Sequence, residues 1–442
     1  MLNLFANYNE QAELLYHSLQ AAGYSHPTVV LEDNGFLPAE VESPYKYFVE
    51  ATQRSTTGKP CFFNQVKVPA LWEIKGDAKG AGVYYLDEKR ANINYHYPKD
   101  RRLVERVTWL DRQGNARFVE HYNQDGWIFA KTSYNLLHEA ITTAYFTQSG
   151  QEVIVENHIT HDVTLNFQGK IYNFPTKLDF VLYYLNFRHF ELDRIFYNSL
   201  ALPFMVVLRL PQNGSDVLFW QEGLGDQVPG NMQLIFNNQA RRTKKIVVTN
   251  EKVYQKLRSL VGHNQRKLIK YLPYVYQVFR HNLLRPVSFT LTNTDNLLNF
   301  EELLKAAPDI TFNVAALTNM SNKLLDLLKY PNVILYPNAN PARLNLLWQG
   351  ADIYLDLNVG EEVNNASRKA FENNMLILGF ENSVHDDKLV DPESIYATPN
   401  YKALGKKLNE IANKPNLMKD LLLKQTKAAR AANISKYKNI LD

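Results

Sequence analysis

The sequence predicts an α/β protein with two doubly wound, Rossmann-like domains and an extended antiparallel β domain inserted in the first of them. After about Lys245, short apolar segments of strand length alternate with amphipathic helical segments, a pattern typical of a parallel, doubly wound sheet. Between about Pro60 and Phe180, short segments are instead separated by closely spaced turn sequences, which indicates antiparallel hairpins.

The α/β pattern occurs on both sides of the hairpin region. The chain opens with helical spacing that ends at Gly23, followed by a short buried strand at residues 28–31. Residues 178–236 return to this pattern, and their apolar stretch at 200–210 has the length of a strand. The hairpin region is therefore an insertion. The predicted domains are residues 1–59 with 182–245, residues 60–181, and residues 246–442 with a basic terminal helix.

The last domain contains strand-length apolar segments with helical segments between them, two of which lie at 297–306 and 323–328. This alternation favours a parallel sheet. The predicted strands are 246–248, 288–291, 311–314, 333–336, 353–355 and 376–380.

The hairpin region has an unusual distribution of polar residues. Its turns lie at 112–115, 123–126, 148–150 and 167–170. In the segment 117–122, polar and apolar side chains occupy both alternation sets, whereas a sandwich strand keeps one face apolar. We therefore expect an extended sheet that is solvated over much of its surface and binds a partner or ligand.

Composition excludes several classes of function. The chain has 49 basic and 45 acidic residues, a net charge of +4, which is too mild to predict nucleic-acid binding. A single cysteine, Cys61, excludes an internal disulfide and fits a reducing compartment. The N-terminal residues lack the pattern of a signal peptide, and no stretch approaches the about 18 apolar residues of a membrane span. We expect a cytoplasmic protein.

Two further features of the sequence are a basic C-terminal segment and a pair of histidines, and neither needs a special function to explain it. Between residues 402 and 438 there are ten basic residues against Glu410 and Asp420. A solvated helix face is the simpler reading, and a helix that contacts a partner or the membrane surface is the alternative. His158 and His161 suggest a metal, but no third ligand accompanies them, so we predict no metal and no cofactor.

The segments 352–361 and 368–380 resemble the donor site of retaining GT-B glycosyltransferases. Those enzymes have two glutamates eight positions apart; the first contacts the donor sugar and the second binds the nucleotide ribose. Here the first position is Glu361 and the second is Lys369. An ammonium group cannot accept the hydrogen bonds that a ribose diol offers to a carboxylate.

The cations that neutralise the leaving diphosphate in GT-B enzymes are also missing. Their positions after the first strand of the last domain are Asn293 and Leu298, and no Arg or Lys lies between Val287 and Phe300. Stabilisation of developing charge is often the largest catalytic contribution. We therefore predict no normal turnover of a nucleotide sugar. The alternatives are another doubly wound fold in which Glu361 is an ordinary loop carboxylate, and a free-standing transferase with an atypical donor site.

Several motifs occur in an order that is more specific than the fold. They include Phe36-Leu37-Pro38, the segment 62–66, Trp220-Gln221-Glu222 followed by 229–234, and the segment 354–358. Together they closely resemble the stabilising, GtfB-type subunits of the peptide N-acetylglucosaminyltransferase that modifies serine-rich-repeat adhesins in Gram-positive bacteria. The resemblance covers essentially the whole chain.

The resemblance implies a non-catalytic subunit that pairs with a homologous catalytic N-acetylglucosaminyltransferase, as a heterotetramer of two copies of each. The catalytic subunit transfers N-acetylglucosamine from its UDP derivative to Ser and Thr hydroxyls. The stabilising subunit binds the serine-rich-repeat polypeptide and keeps its partner soluble and active. The modified adhesin then leaves by the accessory Sec route.

Four residues are candidates for contact with the acceptor polypeptide. Trp220 and Glu222 are expected near the cleft between the α/β domains, although burial of Trp220 in a core is an equal alternative. Tyr122 and Trp127, like Trp72 and Trp109, are expected to hold an extended chain or a partner subunit. Ordinary cross-strand packing in the hairpins is the alternative for these aromatic residues.

Overall fold

Three β-sheets organise the chain: a parallel sheet of seven strands, an antiparallel sheet of ten, and a parallel sheet of six. The computed structural model describes residues 1–53, 58–77, 79–97, 99–429 and 433–442. They fall into two units: Met1–Tyr274 with Asn433–Asp442, and Val275–Ala432. The first unit holds the seven-stranded and ten-stranded sheets. The predicted fold class, with two doubly wound sheets and an inserted antiparallel sheet, is confirmed.

The first parallel sheet begins at the N-terminus and has the strand order β17-β16-β15-β14-β1-β2-β3. Its two opening helices have side-chain caps: Asn9 accepts the N–H of Ala12, and Ser43 accepts the N–H of Lys46. The elements before the insertion are β1 (Leu2–Phe5), α1 (Glu10–Ala21), β2 (Thr28–Val30), β3 (Val41–Glu42) and α2 (Pro44–Thr52).

The inserted sheet is an antiparallel meander in which each strand pairs with its neighbour in sequence. Its strands are β4 (Glu73–Gly76), β5 (Ala81–Tyr85), β6 (Glu88–Tyr95), β7 (Val104–Leu110), β8 (Ala116–Tyr122), β9 (Ile128–Tyr134), β10 (Ala140–Phe146), β11 (Glu152–Asn157), β12 (Val163–Phe167) and β13 (Lys170–Phe174).

The two ends of this sheet are covered on opposite faces. On the first face, which carries Ile93 and Val107, strands β5–β8 pack against the segment 61–74. On the second face, which carries Tyr145 and Leu165, strands β9–β13 pack against α2 and the helix that follows the sheet. Each of the two faces of the sheet is therefore apolar at one end of the sheet and polar at the other end. This arrangement explains why polar residues occupy both alternation sets in the sequence.

After the insertion the chain returns to the first parallel sheet. The elements are α3 (Lys177–Phe187), β14 (Ile195–Tyr197), α4 (Leu202–Arg209), β15 (Asp216–Trp220), α5 (Gly230–Phe236), β16 (Thr243–Val248), α6 (Glu251–Ser259), α7 (His263–Arg266) and β17 (Ile269–Tyr271).

Two expectations differ from this part of the structure. The apolar stretch 200–210 is mainly helix α4, because burial follows a helical period: Val206 and Val207 are buried, whereas Met205 and Leu208 are exposed. The strand at 246–248, predicted to open the last domain, is part of β16. It pairs with β15 in the first sheet, and the first unit continues to Tyr274. Strand–helix alternation does not reveal which of two sheets a strand joins.

The second unit contains the six-stranded sheet, ordered β20-β19-β18-β21-β22-β23. Its elements are β18 (Val287–Thr292), α8 (Phe300–Ala306), β19 (Thr311–Ala316), α9 (Asn322–Leu325), β20 (Val333–Tyr336), α10 (Pro341–Gly350), β21 (Ile353–Asp356), α11 (Ala366–Glu372), β22 (Leu376–Phe380), β23 (Ile395–Tyr396), α12 (Tyr401–Asn413) and α13 (Pro415–Ala428).

The last helix, α14 (Ile434–Leu441), belongs to the first unit and not to the last predicted domain. Tyr437 is fully buried there. Lys245 Nζ donates to the Ile440 carbonyl at 2.6 Å, and the Tyr24 hydroxyl donates to Asp442 Oδ1 at 2.5 Å. Among the described residues, no helix has the length and apolar content needed to cross a membrane.

Candidate functional site

Each parallel sheet has one position where its strand order reverses direction. In the first sheet it lies between β1 and β14, and in the second between β18 and β21. Open α/β sheets bind ligands outside the carboxyl ends of the strands at such switch points. These two edges are therefore the candidate binding sites of the two units.

The switch point of the second sheet is closed by hydrogen bonds between the loops that surround it. Asn293, after β18, donates its amide to the Glu361 carbonyl at 3.0 Å. Asn358, after β21, donates to the same carbonyl at 3.0 Å and accepts from the Thr292 hydroxyl at 3.0 Å. The backbone N–H of Leu298 donates to the Leu357 carbonyl at 3.1 Å. Polar groups that would face a ligand in an open site are thus bonded to the protein itself.

An ion pair lies beside these loops. Asp356, at the end of β21, is 1% exposed, and its Oδ1 lies 2.8 Å from His385 Nδ1. The other ring nitrogen, Nε2, lies 2.9 Å from the Gly360 carbonyl. A carbonyl and a carboxylate only accept hydrogen bonds, so both ring nitrogens carry protons. Burial opposes the charged form, but the hydrogen bond to and the charge of Asp356 outweigh it and raise the pKa of His385 to about 9.

A backbone N–H group in the first turn of α11 also has its hydrogen-bond acceptor within the chain. Glu362 Oε1 accepts the backbone N–H of Ser367 at 2.8 Å. The Ser367 hydroxyl in turn lies 3.4 Å from Asp356 Oδ2. Helix N-termini favour negative charge, and here a carboxylate of the protein supplies it.

The structure brings three of the four predicted donor-site residues to this edge. Asn293 and the loop of Glu361 are hydrogen-bonded, and Leu298 packs against the core of the second unit. Lys369 lies exposed on α11. Asn293, Leu298 and the loop of Glu361 therefore lie at the carboxyl edge of the second sheet, and their correspondence to a donor site stays a prediction.

The switch point of the first sheet carries a different set of groups. Asn198, after β14, accepts the N–H of Ala6 at 2.8 Å and donates to Gln221 Oε1 at 3.0 Å. Glu222, after β15, accepts the Ser199 hydroxyl at 2.5 Å. Glu222 is exposed, so this edge offers a carboxylate to solvent, whereas the half-buried Gln221 amide donates to the Gln11 carbonyl at 2.7 Å and to the Tyr274 hydroxyl at 2.9 Å.

Two of the aromatic residues predicted to contact a polypeptide are core residues. Trp220 is 1% exposed at the end of β15, and its indole N–H donates to Glu222 Oε2 at 3.1 Å. Tyr122 is buried among the apolar residues of the inserted sheet, and burial raises its pKa well above the ordinary value. Burial excludes contact of either side chain with an extended polypeptide in this structure. Trp220 is a core residue, which was the equal alternative for it, and Tyr122 packs within the inserted sheet.

Trp127 lies at a cavity between α2 and the β8–β9 turn. Asp33, Lys46, Glu50 and Asp125 also line this cavity, which has a volume of about 40 Å³. Among the described residues, the Trp127 indole nitrogen is buried without a hydrogen-bond partner. The cavity is large enough for ordered water but too small for a peptide side chain of ordinary size.

Sequence reasoning missed His385 and Asn198. His385 pairs with a residue 29 positions earlier, and Asn198 bonds to a loop 192 positions earlier. Neither has a local motif around it. Functional side chains tend to follow the strands at a switch point, and this rule could have found both residues. Applying it requires the strand order, which the sequence alone does not give.

Family models of four GtfB-type domains match the chain. They are described as the GtfB N-terminal domain at residues 2–48, the GtfB middle domain at 72–175, the GtfB third domain at 177–260 and the GftB/GlyA-F C-terminal domain at 288–425.

Relatives that align over the full length of the chain also carry the GtfB name. A Streptococcus gordonii protein named UDP-N-acetylglucosamine–peptide N-acetylglucosaminyltransferase stabilizing protein GtfB is 42% identical over 100% of this chain and 98% of its own length. A Limosilactobacillus reuteri protein of the same name is 38% identical over 100% and 99%.

Solved structures agree with the fold. A chain in the crystal structure of a GtfA/B complex bound to UDP and GlcNAc has a TM-score of 0.90 at 42% identity, covering 100% of this chain and 99% of that one. A chain from a structure of Streptococcus pneumoniae accessory secretory proteins 1, 2 and 3 has a TM-score of 0.59 at 10% identity, over 100% and 98%. The second shares the fold alone.

Two doubly wound sheets, each with its switch point, and an inserted antiparallel sheet define a protein of the GT-B-like class. Within this class, the chain belongs to the GtfB family of transferase-stabilizing proteins.

Proposed function

We propose that this chain is the non-catalytic subunit of a protein O-GlcNAc transferase complex. In this role it binds the serine-rich-repeat adhesin polypeptide and stabilises and activates a homologous catalytic N-acetylglucosaminyltransferase. The observation that supports it most is full-length identity of 42% to a protein named as the stabilizing protein of that transferase. The heterotetramer of two copies of each subunit is part of the proposal.

The lack of catalysis is proposed from the second switch point. Asn293 and Asn358 both bind the Glu361 carbonyl there, which joins the loops after β18 and β21. No Arg or Lys occurs between Val287 and Phe300 to neutralise a diphosphate. A nucleotide sugar would have to break these internal bonds and would gain no cation in return. A free-standing transferase that uses Glu361 is therefore not favoured.

Acceptor binding is assigned in this proposal to the first switch point. The exposed carboxylate of Glu222 lies at the carboxyl edge of the first sheet; its oxygens accept the Ser199 hydroxyl and the Trp220 indole N–H and keep lone pairs for further donors. A Ser/Thr-rich chain presents many hydroxyl and backbone N–H groups that can donate to a carboxylate. Weak polar contacts of this kind suit a disordered acceptor of variable sequence.

The partner surface is assigned to the first face of the inserted sheet. Tyr85, Trp72, Trp109 and Phe118 form a row with ring centroids 5.9, 6.3 and 6.0 Å apart. Two leucines next to this row in sequence, Leu71 before β4 and Leu86 in the β5–β6 turn, are 87% and 77% exposed.

Both leucines have positive φ, a conformation that non-glycine residues rarely adopt. Exposed apolar groups near a sheet edge are a liability that a bound partner removes. The basic surface of α12 and α13 is a second candidate contact, with a partner or with the membrane surface.

The decisive experiment is reconstitution with the catalytic subunit. We expect the two chains to copurify, and we expect transfer of N-acetylglucosamine to serine-rich peptide to increase when this chain is added. This chain alone should transfer no sugar. Transfer by this chain alone, or equal transfer with and without it, would contradict the proposal.

A further inference from the structure

We propose that the inserted sheet contains a pH-sensitive switch, in which a proton bound at His158 reverses a chain of hydrogen bonds that ends at His121. The chain consists of His121, Thr132, Thr143 and His158, and we call these four residues the sheet relay. It begins on β8 and crosses into the half of the sheet whose second face packs against α2 and α3. The inference is independent of the proposed function.

Three hydrogen bonds link the sheet relay across neighbouring strands. His121 Nε2 on β8 lies 3.0 Å from the Thr132 hydroxyl on β9, which lies 3.0 Å from the Thr143 hydroxyl on β10. The Thr143 hydroxyl lies 2.8 Å from His158 Nε2 in the β11–β12 turn. Both threonines are 8% exposed. At about 4.8 Å from strand to strand, the relay spans about 14 Å.

The number of available protons constrains the two histidines. Three hydrogen bonds need three donors, and the two hydroxyls supply two, so at least one Nε2 must carry a proton. In the part of the chain that the structure describes, neither threonine hydroxyl makes any other hydrogen bond. If both Nε2 atoms carried protons, one buried hydroxyl would lack an acceptor, which is unfavourable. When both rings are neutral, they are therefore opposite tautomers.

Protonation of His158 fixes the direction of the sheet relay. A charged imidazole carries protons on both nitrogens, so His158 then donates to Thr143, and Thr143 donates to Thr132. The Thr132 hydroxyl in turn donates to His121 Nε2, and the proton of His121 must lie on Nδ1. Among the described residues, neither Nδ1 is a buried atom without a partner, so each can hold a proton.

With His158 neutral, we expect the opposite direction. Arg106 lies directly opposite His121 on β7, and its positive charge favours a lone pair over a proton on His121 Nδ1. His121 then carries its proton on Nε2 and donates to Thr132. Switching between the two directions takes up one proton from solvent. His158 gains a proton on Nε2, both hydroxyls reverse, and the single proton of His121 passes from Nε2 to Nδ1.

The two ends of the sheet relay differ in their surroundings. Burial, followed by the charge of Arg106, lowers the pKa of His121 to about 4, so this ring stays neutral above that pH. His158 is half-buried in a turn, and histidine ordinarily changes its charge between pH 5 and 8. The charged and titratable groups on the surrounding elements are Arg106 and Glu105 on β7, Glu156 on β11, Tyr45 on α2, Lys177 on α3, and His161 and Asp162 in the β11–β12 turn.

One chemical consequence follows for His121. Its Nδ1 is a hydrogen-bond acceptor when His158 is neutral and a donor when His158 is charged. A proton bound in the β11–β12 turn therefore changes the hydrogen-bonding character of a residue three strands away. His158, which no metal site accounts for, acquires a role in this way.

The test reads both tautomers in the full chain by NMR of ¹⁵N-labelled histidine, because the shift of each ring nitrogen shows whether it holds a proton. At pH 8.5 we expect the proton of His121 on Nε2 and that of His158 on Nδ1. At pH 5.5 we expect a charged His158 and the proton of His121 on Nδ1. The change at His121 should have the same midpoint as the titration of His158.

Variants separate the sheet relay from a direct effect of pH on His121. His158→Ala, at a turn, should abolish the change of tautomer at His121. Thr143→Val removes the hydroxyl and keeps the side-chain shape, and it should also abolish the change, whereas Thr143→Ser should retain it. Thr142→Val, the neighbouring threonine on the other face of β10, and His161→Ala are matched controls and should retain it.

Three results would each overturn the inference. The first is the same His121 tautomer at both pH values in the wild type. The second is the same tautomer for both histidines at pH 8.5. The third is a change at His121 that persists in His158→Ala, a variant that alters no buried side chain and so keeps the test valid if Thr143→Val does not fold.

Discussion

Asp356 and His385 form a buried ion pair at the switch point of the second sheet, with Oδ1 and Nδ1 2.8 Å apart. The pair links the end of β21 to the loop after β22, and the imidazolium also binds the Gly360 carbonyl. It therefore holds together the loops after β21 and β22 at this edge of the sheet. Its protonation state makes the link between these loops depend on pH.

The first prediction concerns that pH dependence. The pKa of His385 is raised to about 9 in the folded state, above its ordinary value. The stabilisation is therefore complete below about pH 6.5 and is lost as pH rises through 9. After allowance for solvent screening, we expect a loss of about 1–2 kcal/mol in the free energy of unfolding of the second unit.

Urea titrations of the wild type and of His385→Ala, at pH 6.5 and pH 9.5, measure this effect. The difference in unfolding free energy between the two proteins should shrink at the higher pH. A difference that is the same at both pH values would show that the imidazolium contributes nothing.

The second prediction is that the isolated chain does not bind UDP tightly. Asn293 and Asn358 both donate to the Glu361 carbonyl at the second switch point, and in the resemblance to GT-B enzymes Lys369 falls at the position of a ribose-binding carboxylate. Calorimetric titration should detect no binding at micromolar UDP. A micromolar Kd, equal to about −8 kcal/mol, would contradict the closed site.

The third prediction concerns Glu222. Replacement by alanine removes an exposed carboxylate at the first switch point, and we expect binding of unglycosylated serine-rich peptide to weaken about tenfold, or about 1.4 kcal/mol. Glu222→Gln keeps the acceptor for the Trp220 indole and should bind better than the alanine variant. Fluorescence anisotropy with labelled peptide measures both.

The control for Glu222 is Glu152→Ala, an exposed carboxylate on the inserted sheet. It should leave peptide binding unchanged. If both alanine variants lose affinity equally, the loss reflects net charge, and the first switch point is not the acceptor site.

The fourth prediction concerns the partner surface. Leu71→Ser and Leu86→Ser together should weaken association with the catalytic subunit at least tenfold, because both side chains are exposed and are next to the aromatic row in sequence. Stability should change little, since neither leucine is buried. Size-exclusion chromatography of the mixed subunits measures the complex. Ile171→Ser, 69% exposed at the opposite edge of the sheet, is the control and should still form complex.

The fifth prediction concerns the joint between the inserted sheet and the first parallel sheet. Tyr45 on α2 stacks on Tyr145 with centroids 4.3 Å apart, and its hydroxyl donates to Glu156 at 2.9 Å. Tyr45→Ala should destabilise the first unit by about 3–5 kcal/mol. Tyr45→Phe removes only the hydrogen bond and should cost about 1–3 kcal/mol. Equal losses would mean that the stacked ring contributes little.

The sequence was sufficient for the fold class and for the absence of cations near Asn293. Strand–helix periodicity and the lack of Arg or Lys are local properties that need no coordinates. The buried positions of Trp220 and Tyr122 were not predictable in the same way, because composition does not distinguish an aromatic core residue from a surface one. The pairing of Asp356 with His385 was also inaccessible, since it depends on which strands become neighbours.

Because the two ends of the inserted sheet pack on opposite faces, the sheet does not form a folding unit separate from the helices around it. Residues 72–175 match a family model of their own, yet the apolar face of β9–β13 shares one core with α2 and α3. If residues 72–175 were excised, the apolar side chains of β9–β13 would become exposed. The faces of α2 and α3 that pack on them would become exposed in the rest of the chain. Sequence modules and units of folding therefore do not coincide here. Replacing this segment by that of a relative would keep the shared core intact only if α2 and α3 were replaced with it.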